Sequence, residues 1–96
     1  MKGYELRRNS AEIKKSEVKK IKVGIAAMQE WGDPELIKFS YNKEELLEEL
    51  KKHKTIVREI NGGYEVEEWW IEENEYNEDG EFLEGSNFLE FSEMSK

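Results

Sequence analysis

Cysteine is absent from these 96 residues, which excludes a disulfide framework and a thiolate zinc site, and suits a reducing cytoplasm. Histidine occurs once, as His53. It follows two lysines at the end of an expected helix, where a solvated cation is favourable, so it reads as a cap rather than as a catalytic base. No serine sits in a Gly-x-Ser-x-Gly turn and no glycine-rich phosphate loop is present. No apolar run approaches the roughly 18 residues of a membrane span. The first ten residues, MKGYELRRNS, are basic but lack the apolar stretch of a signal peptide. These absences point away from an enzyme, from a cofactor or metal protein and from a membrane protein. A cytoplasmic monomer or small oligomer is expected.

Charge is what the chain has in excess. Charged residues make up 40%, against about 25% in an average domain. Hydrophobic residues make up 36% and aromatic residues 11%, enough for the modest core of one small domain. The net charge of −8 is polarised: residues 1–22 sum to +5, residues 23–63 to −2 and residues 64–96 to −11. Such a gradient reflects either a charged partner or two ends of the chain that attract each other. The organisation that follows is a basic arm over residues 1–20, a core over 21–76 and an acidic C-terminal segment over 77–96.

The arm carries Asn9 and Glu12 at capping-box spacing, which would open a short helix, but Ile13 and Val18 alone make a poor apolar stripe. A helical or a disordered arm is expected. Residues 21–28 (IKVGIAAM) alternate in the manner of a strand, with a helix running on from Ser10 as the rival. Gly32-Asp33-Pro34-Glu35 suits a turn, or Asp33 as a helix cap before Pro34. Leu36 to Tyr41 then reads as a strand that would complete a first hairpin. Asn42 to Lys52 (NKEELLEELKK) carries a capping asparagine, Glu45 at the third helical position, Tyr41 placed to staple onto Leu46, and an apolar stripe of Leu46, Leu47 and Leu50. At about three turns this helix must pack on a sheet to persist.

Thr55 to Tyr76 carries the longest apolar payload, and the rest of the chain reads as organised around it. Two runs rich in β-branched and aromatic residues flank Asn61-Gly62-Gly63, and Asn-Gly is a strong hairpin signal. In the second run Tyr64, Val66 and Trp70 point one way, Trp69 and Ile71 the other. Either both faces of the sheet are covered, or a bulge near Glu68 shifts the register. Beyond Tyr76 the chain is turn-rich and acidic, with Phe82, Leu83, Phe88, Leu89 and Phe91 as apolar islands.

Glu67/Glu68 and Glu72/Glu73 straddle the tryptophans. A glutamate beside a buried aromatic can work as a general acid, although a run of glutamates on a strand more often forms a solvated, aggregation-blocking surface. Glu75 to Ser86 superficially follows a calcium loop through Asn77, Asp79 and Gly80, but Ser86 stands where a bidentate glutamate is required. Tryptophans set among glutamates repel phosphate, which argues against direct nucleic-acid binding. The same carboxylates on a rigid sheet could instead imitate a phosphate backbone. Trp69, Trp70 and Trp31, with Glu67, Glu68 and Glu72, are the candidate protein-binding residues, since aromatics anchor interfaces. Adjacent strand residues face opposite sides, so a tryptophan not in the core needs cover from a terminal segment, a second subunit or a partner.

Residues 41–71 combine a polar cap, an EELLEELKK-type helix, a strand and a Gly-Tyr-Glu-Val-Glu-Glu-aromatic strand. In this they resemble small accessory proteins of Gram-positive phages and mobile elements. The resemblance implies a compact α+β fold and, for some members, inhibition of a host or defence protein; it transfers no site residues.

The sequence therefore predicts one α+β domain: a small antiparallel sheet of two hairpins in β-β-α-β-β order, with the 43–52 helix packed on one face. The expected function is a non-enzymatic protein-interaction module with a protein partner or a second copy of itself. The alternative is an acidic nucleic-acid mimic that blocks a DNA- or RNA-binding host or defence protein.

Overall fold

The computed structural model describes residues 1–17, 21–27 and 34–94. Its elements are β1 (Lys2–Lys14), β2 (Glu35–Ser40), α1 (Lys43–Leu50), β3 (Lys54–Ile60), β4 (Gly63–Tyr76), β5 (Phe82–Phe91) and β6 (Glu93–Met94). Strands β2-β1-β4-β3-β6 lie side by side in that order and β5 pairs with β4. The pairs are antiparallel except for the short parallel contact of β3 with β6. Among the described residues no helix is long and apolar enough to cross a membrane.

This corrects the expected architecture. The protein is mostly β, a mixed six-stranded sheet with one eight-residue helix, and not an α+β fold of two hairpins. The decisive error concerns the basic N-terminal arm, which is neither helical nor loose. As β1 it pairs with β4 without interruption, from Lys2 opposite Glu75 to Lys14 opposite Gly63. It escapes the alternation rule because its side chains on one face are Glu5, Arg7 and Asn9. These lie opposite Glu72, Trp70 and Glu68 of β4, and only Ala11 and Ile13 beyond them on the same face meet an apolar cluster. The first hairpin does not form either. Residues 23–27 are turn, with Gly24 at φ 89°, a left-handed conformation that glycine adopts at no steric cost. β2 pairs with β1 instead. The expected turn at Gly32-Asp33 lies outside the described residues.

The charge gradient has an internal explanation in this pairing. Lys2 meets Glu73 at 3.2 Å, Arg7 meets Glu72 at 3.5 Å, Arg8 meets Glu67 at 2.8 Å, and Lys15 pairs with Glu59. Exposed pairs of this kind contribute little each. The three that link β1 to β4 favour one register of those strands over its alternatives, and Lys15 reaches across to Glu59 on β3.

β4 organises everything else. Fourteen extended residues span about 46 Å at ~3.3 Å each, close to the 49 Å long axis of the molecule. One edge of β4 is taken by β1. The other is shared, with β3 pairing up to Glu67 and β5 from Trp70 onward. Trp69 sits at the junction, where its backbone groups would be left unpaired at a cost. Ser92 fills the gap. Its N–H donates to the Trp69 carbonyl at 2.8 Å and its hydroxyl accepts from the Trp69 N–H at 3.0 Å. Buried Thr55 donates to the Ser92 carbonyl at 3.1 Å, tying the start of β3 to the same knot.

No bulge interrupts the β1–β4 ladder, and each face of the sheet carries a core cluster. On the helix face Leu6, Trp69 and Ile71 pack with Leu46 and Leu50 of α1. On the turn face Ile13 and Val66 pack with Ala26, supported by Ile21 and Ile25. The helix starts where the sequence indicates, with Asn42 Oδ1 accepting from the Glu44 N–H at 3.1 Å. The reciprocal partner differs. Glu45 accepts from the Ser40 hydroxyl and pairs with Lys38, while Tyr41 joins a ring cluster on the opposite face.

Candidate functional site

Among the described residues, the cover of the turn face lies over the half nearest the β3–β4 hairpin. Over the other half, strand alternation lines up aromatic residues from three strands. Phe39 lies opposite Glu5, Phe82 opposite Tyr76 and Phe88 opposite Glu72. Phe39 and Tyr41 meet edge to face at 5.0 Å, Phe39 and Tyr76 at 5.7 Å, and Tyr76 and Phe82 at 6.0 Å, the arrangement that ring quadrupoles favour. β1 crosses beneath this belt at Gly3. Any Cβ there would stand 2.6 Å from the Tyr76 ring and 2.8 Å from that of Phe39. Gly3 is thus what lets rings from β2 and β4 meet over the strand between them. A second group joins Phe88 and Phe91 to buried Trp70.

Beneath the rings lies a closed polar network. Arg7 binds Glu5, approaches Glu72 at 3.5 Å and donates to the Pro34 carbonyl at 3.1 Å. Glu72 accepts from the Trp70 indole N–H at 3.0 Å, and Glu5 from Asn74 at 2.6 Å. The Tyr76 hydroxyl donates to Glu5, and burial pushes its pKa up. One arginine faces two carboxylates here, so the network keeps one excess negative charge, and the side chains of Glu5 and Glu72 are only 12% and 15% exposed beneath the rings. Yet the rings stay open: Phe82 is 58% exposed, Tyr41 52%, Phe88 43% and Phe39 38%, with Leu36 beside them at 50%. Open apolar patches of this kind are where contact surfaces of small globular proteins are sought.

The covered half of the same face rests on Glu68, which is fully buried. Its carboxylate accepts from the N–H groups of Gly24 at 2.7 Å and Ala27 at 3.2 Å. Neighbouring Asn9 donates to the Ala26 carbonyl at 2.9 Å. Burial raises the Glu68 pKa, and the backbone N–H bonds oppose that rise. The group anchors the turn.

On the helix face a cleft of about 650 Å³ runs between α1 and residues 90–93, lined by Leu47, Leu50 and Phe91 with Glu44, Glu48 and Glu90. His53 lies at its edge, stacked on Trp69 at 4.8 Å and 14°, with Nε2 3.9 Å from Glu49. No serine or threonine hydroxyl in the described contacts is bonded to His53. Among the described residues no three metal-ligating side chains converge. The calcium-like stretch is a plain turn: Asn77 Oδ1 accepts from the N–H groups of Asp79 and Glu81 at 3.0 and 2.8 Å.

The residues singled out from sequence are mostly structural. Trp69 and Trp70 are buried on opposite faces, Glu68 pins the turn, Glu67 pairs with Arg8, and Glu72 binds Trp70 and Arg7. Trp31 lies outside the described residues. The exposed aromatic set is instead Phe39, Tyr41, Phe82 and Phe88. The available signal was the i, i+2 spacing of Phe39 and Tyr41 on an expected strand. What it could not show was that β5 would carry Phe82 and Phe88 to the same face.

No protein-family model matches this chain, and neither curated proteins nor solved structures yield a match to it.

Proposed function

We propose that the protein is a non-enzymatic interaction module whose contact surface is the aromatic half of the turn face. The observation that carries this is the open belt of Phe39, Tyr41, Phe82 and Phe88 over a hydrogen-bonded polar layer. Aromatic rings are the side chains that most often anchor interfaces, and ion pairing of Arg7 with Glu5 and Glu72 beneath them lowers the cost of covering those charges.

The alternative of an acidic nucleic-acid mimic needs carboxylates free to face a basic channel. Here the glutamates of β4 are largely engaged: Glu65 with Arg58, Glu67 with Arg8, Glu72 with Arg7 and Glu73 with Lys2. The resemblance of residues 41–71 to accessory proteins of phages and mobile elements is compatible with a host protein as partner.

The test is capture from host lysate with three immobilised forms: wild type, Phe82→Ser/Phe88→Ser, and Glu44→Lys/Glu90→Lys. A partner retained by the lysine form and lost by the serine form supports the reading. A partner lost by the lysine form, kept by the serine form and released by salt overturns it in favour of the mimic.

A further inference from the structure

Resting on that reading, we infer that the occupant of the aromatic face is a second copy of this chain, docked face to face in a two-fold dimer. Two observations select this occupant.

The first is charge. A chain of net charge −8 repels its own copy, so self-association has to proceed through a face that presents little unpaired charge. The aromatic half of the turn face comes nearest to that condition: Arg7 lies between Glu5 and Glu72, the one charge left over is held under the rings, and Trp70 and Asn74 donate to the same carboxylates. The helix-face cleft does not meet it. Glu44, Glu48 and Glu90 line that cleft against Lys51 and the Lys54–Glu93 pair. Pairing the turn faces keeps those carboxylates on the outside of the dimer, far from their symmetry mates.

The second is area. A buried aromatic side chain contributes about 200 Å². The exposed fractions of Phe39, Tyr41, Phe82 and Phe88 therefore leave roughly 80–115 Å² on each ring, and Leu36 adds a similar amount. The set offers roughly 450 Å² of apolar surface per copy. A standard interface buries ~800 Å² per partner, of which ~57–65% is apolar, or about 450–520 Å². The patch is the size that a self-complementary interface needs, and a two-fold axis lets each copy present it to the other.

The test is sedimentation velocity of the full chain from about 1 to 200 µM, at about 0.05 and 0.5 M NaCl. The mass should rise with concentration from the 11.4 kDa of one chain towards twice that value. It should rise more readily at high salt, because screening weakens repulsion between two −8 bodies and leaves apolar contact intact. Phe82→Ser/Phe88→Ser should remain at one-chain mass throughout. Both rings are about half exposed, so its far-UV circular dichroism and melting temperature should stay close to wild type. If the variant fails to fold, Leu36→Glu tests the same face from β2 and should also be monomeric.

A wild type that stays at one-chain mass over the whole range overturns the dimer. So does a dimer that these substitutions leave intact, or one that weakens as salt rises. If the wild type is monomeric and a lysate partner is still lost by the serine form, the dimer falls and the interaction module stands. If neither self-association nor capture responds to the face, both fall.

Discussion

The two faces of β4 begin from the same strand and are closed by different chemistry. On the helix face, Trp69 and Ile71 meet Leu6 and two leucines of an amphipathic helix, and the cover is apolar. One residue away along the strand, Glu68 and Trp70 point to the other side. There the cover is a turn that packs Ala26, Ile21 and Ile25 on the sheet and is held by a buried carboxylate and a buried amide. That turn reaches only half of its face and leaves the rings beyond it open. A helix covers a sheet through apolar area, which is non-directional and forgiving. A pinned turn covers through a few directional hydrogen bonds, each of which is costly to lose. The first arrangement makes a core and the second leaves room for a surface.

Three substitutions test this contrast. Leu46→Ala removes a fully buried side chain from the helix face and should lower stability by about 2–5 kcal/mol, read from urea unfolding. A loss well under that range would mean the helix is not what closes this face.

Glu68→Ala strips the acceptor from the Gly24 and Ala27 N–H groups and should cost about 1–3 kcal/mol. Amide exchange over residues 22–27 should accelerate, while that of α1 stays unchanged. Uniform acceleration would show that the two covers are not independent. Glu68→Gln sharpens the point through pH. The folded-state pKa of Glu68 lies above its unfolded value, so the folded protein takes up this proton first. Its ionised form therefore counts against stability above that folded value, and this disadvantage is relieved as pH falls through it toward the ordinary carboxylate range. Wild type should gain stability relative to Glu68→Gln between neutral pH and about pH 5. The opposite trend in paired urea titrations would contradict the burial argument.

Asn42→Ala is the mildest of the three. It deletes the helix cap and should cost about 1 kcal/mol. Its effect should appear in the amide exchange of the first helical turn and leave residues 22–27 untouched.

Where local rules were sufficient, the sequence by itself determined the outcome. Asn42, the leucine stripe and the early glutamates specify α1. Asn61-Gly62 specifies the turn between β3 and β4, and the adjacent tryptophans require a sheet covered on both faces. Tertiary structure alone decided the rest. Glu5, Arg7 and Asn9 of β1 find their partners on residues about 17 to 69 positions away, Ala26, Glu72 and Asn74 among them, and no periodicity within residues 2–14 reveals that. Ile21, Ile25 and Ala26 read as strand and became a cap, because Gly24 turns the chain so that its N–H groups reach Glu68 from 44 residues away. Phe39, Tyr41, Tyr76 and Phe82 became one surface only when β5 folded back onto β4 and Gly3 left space between β2 and β4. Helix caps and tight turns are settled by neighbours in the chain, so they can be read from it. A buried charge and an open aromatic face are settled by residues far apart in sequence, and pairing of the strands brings those residues together.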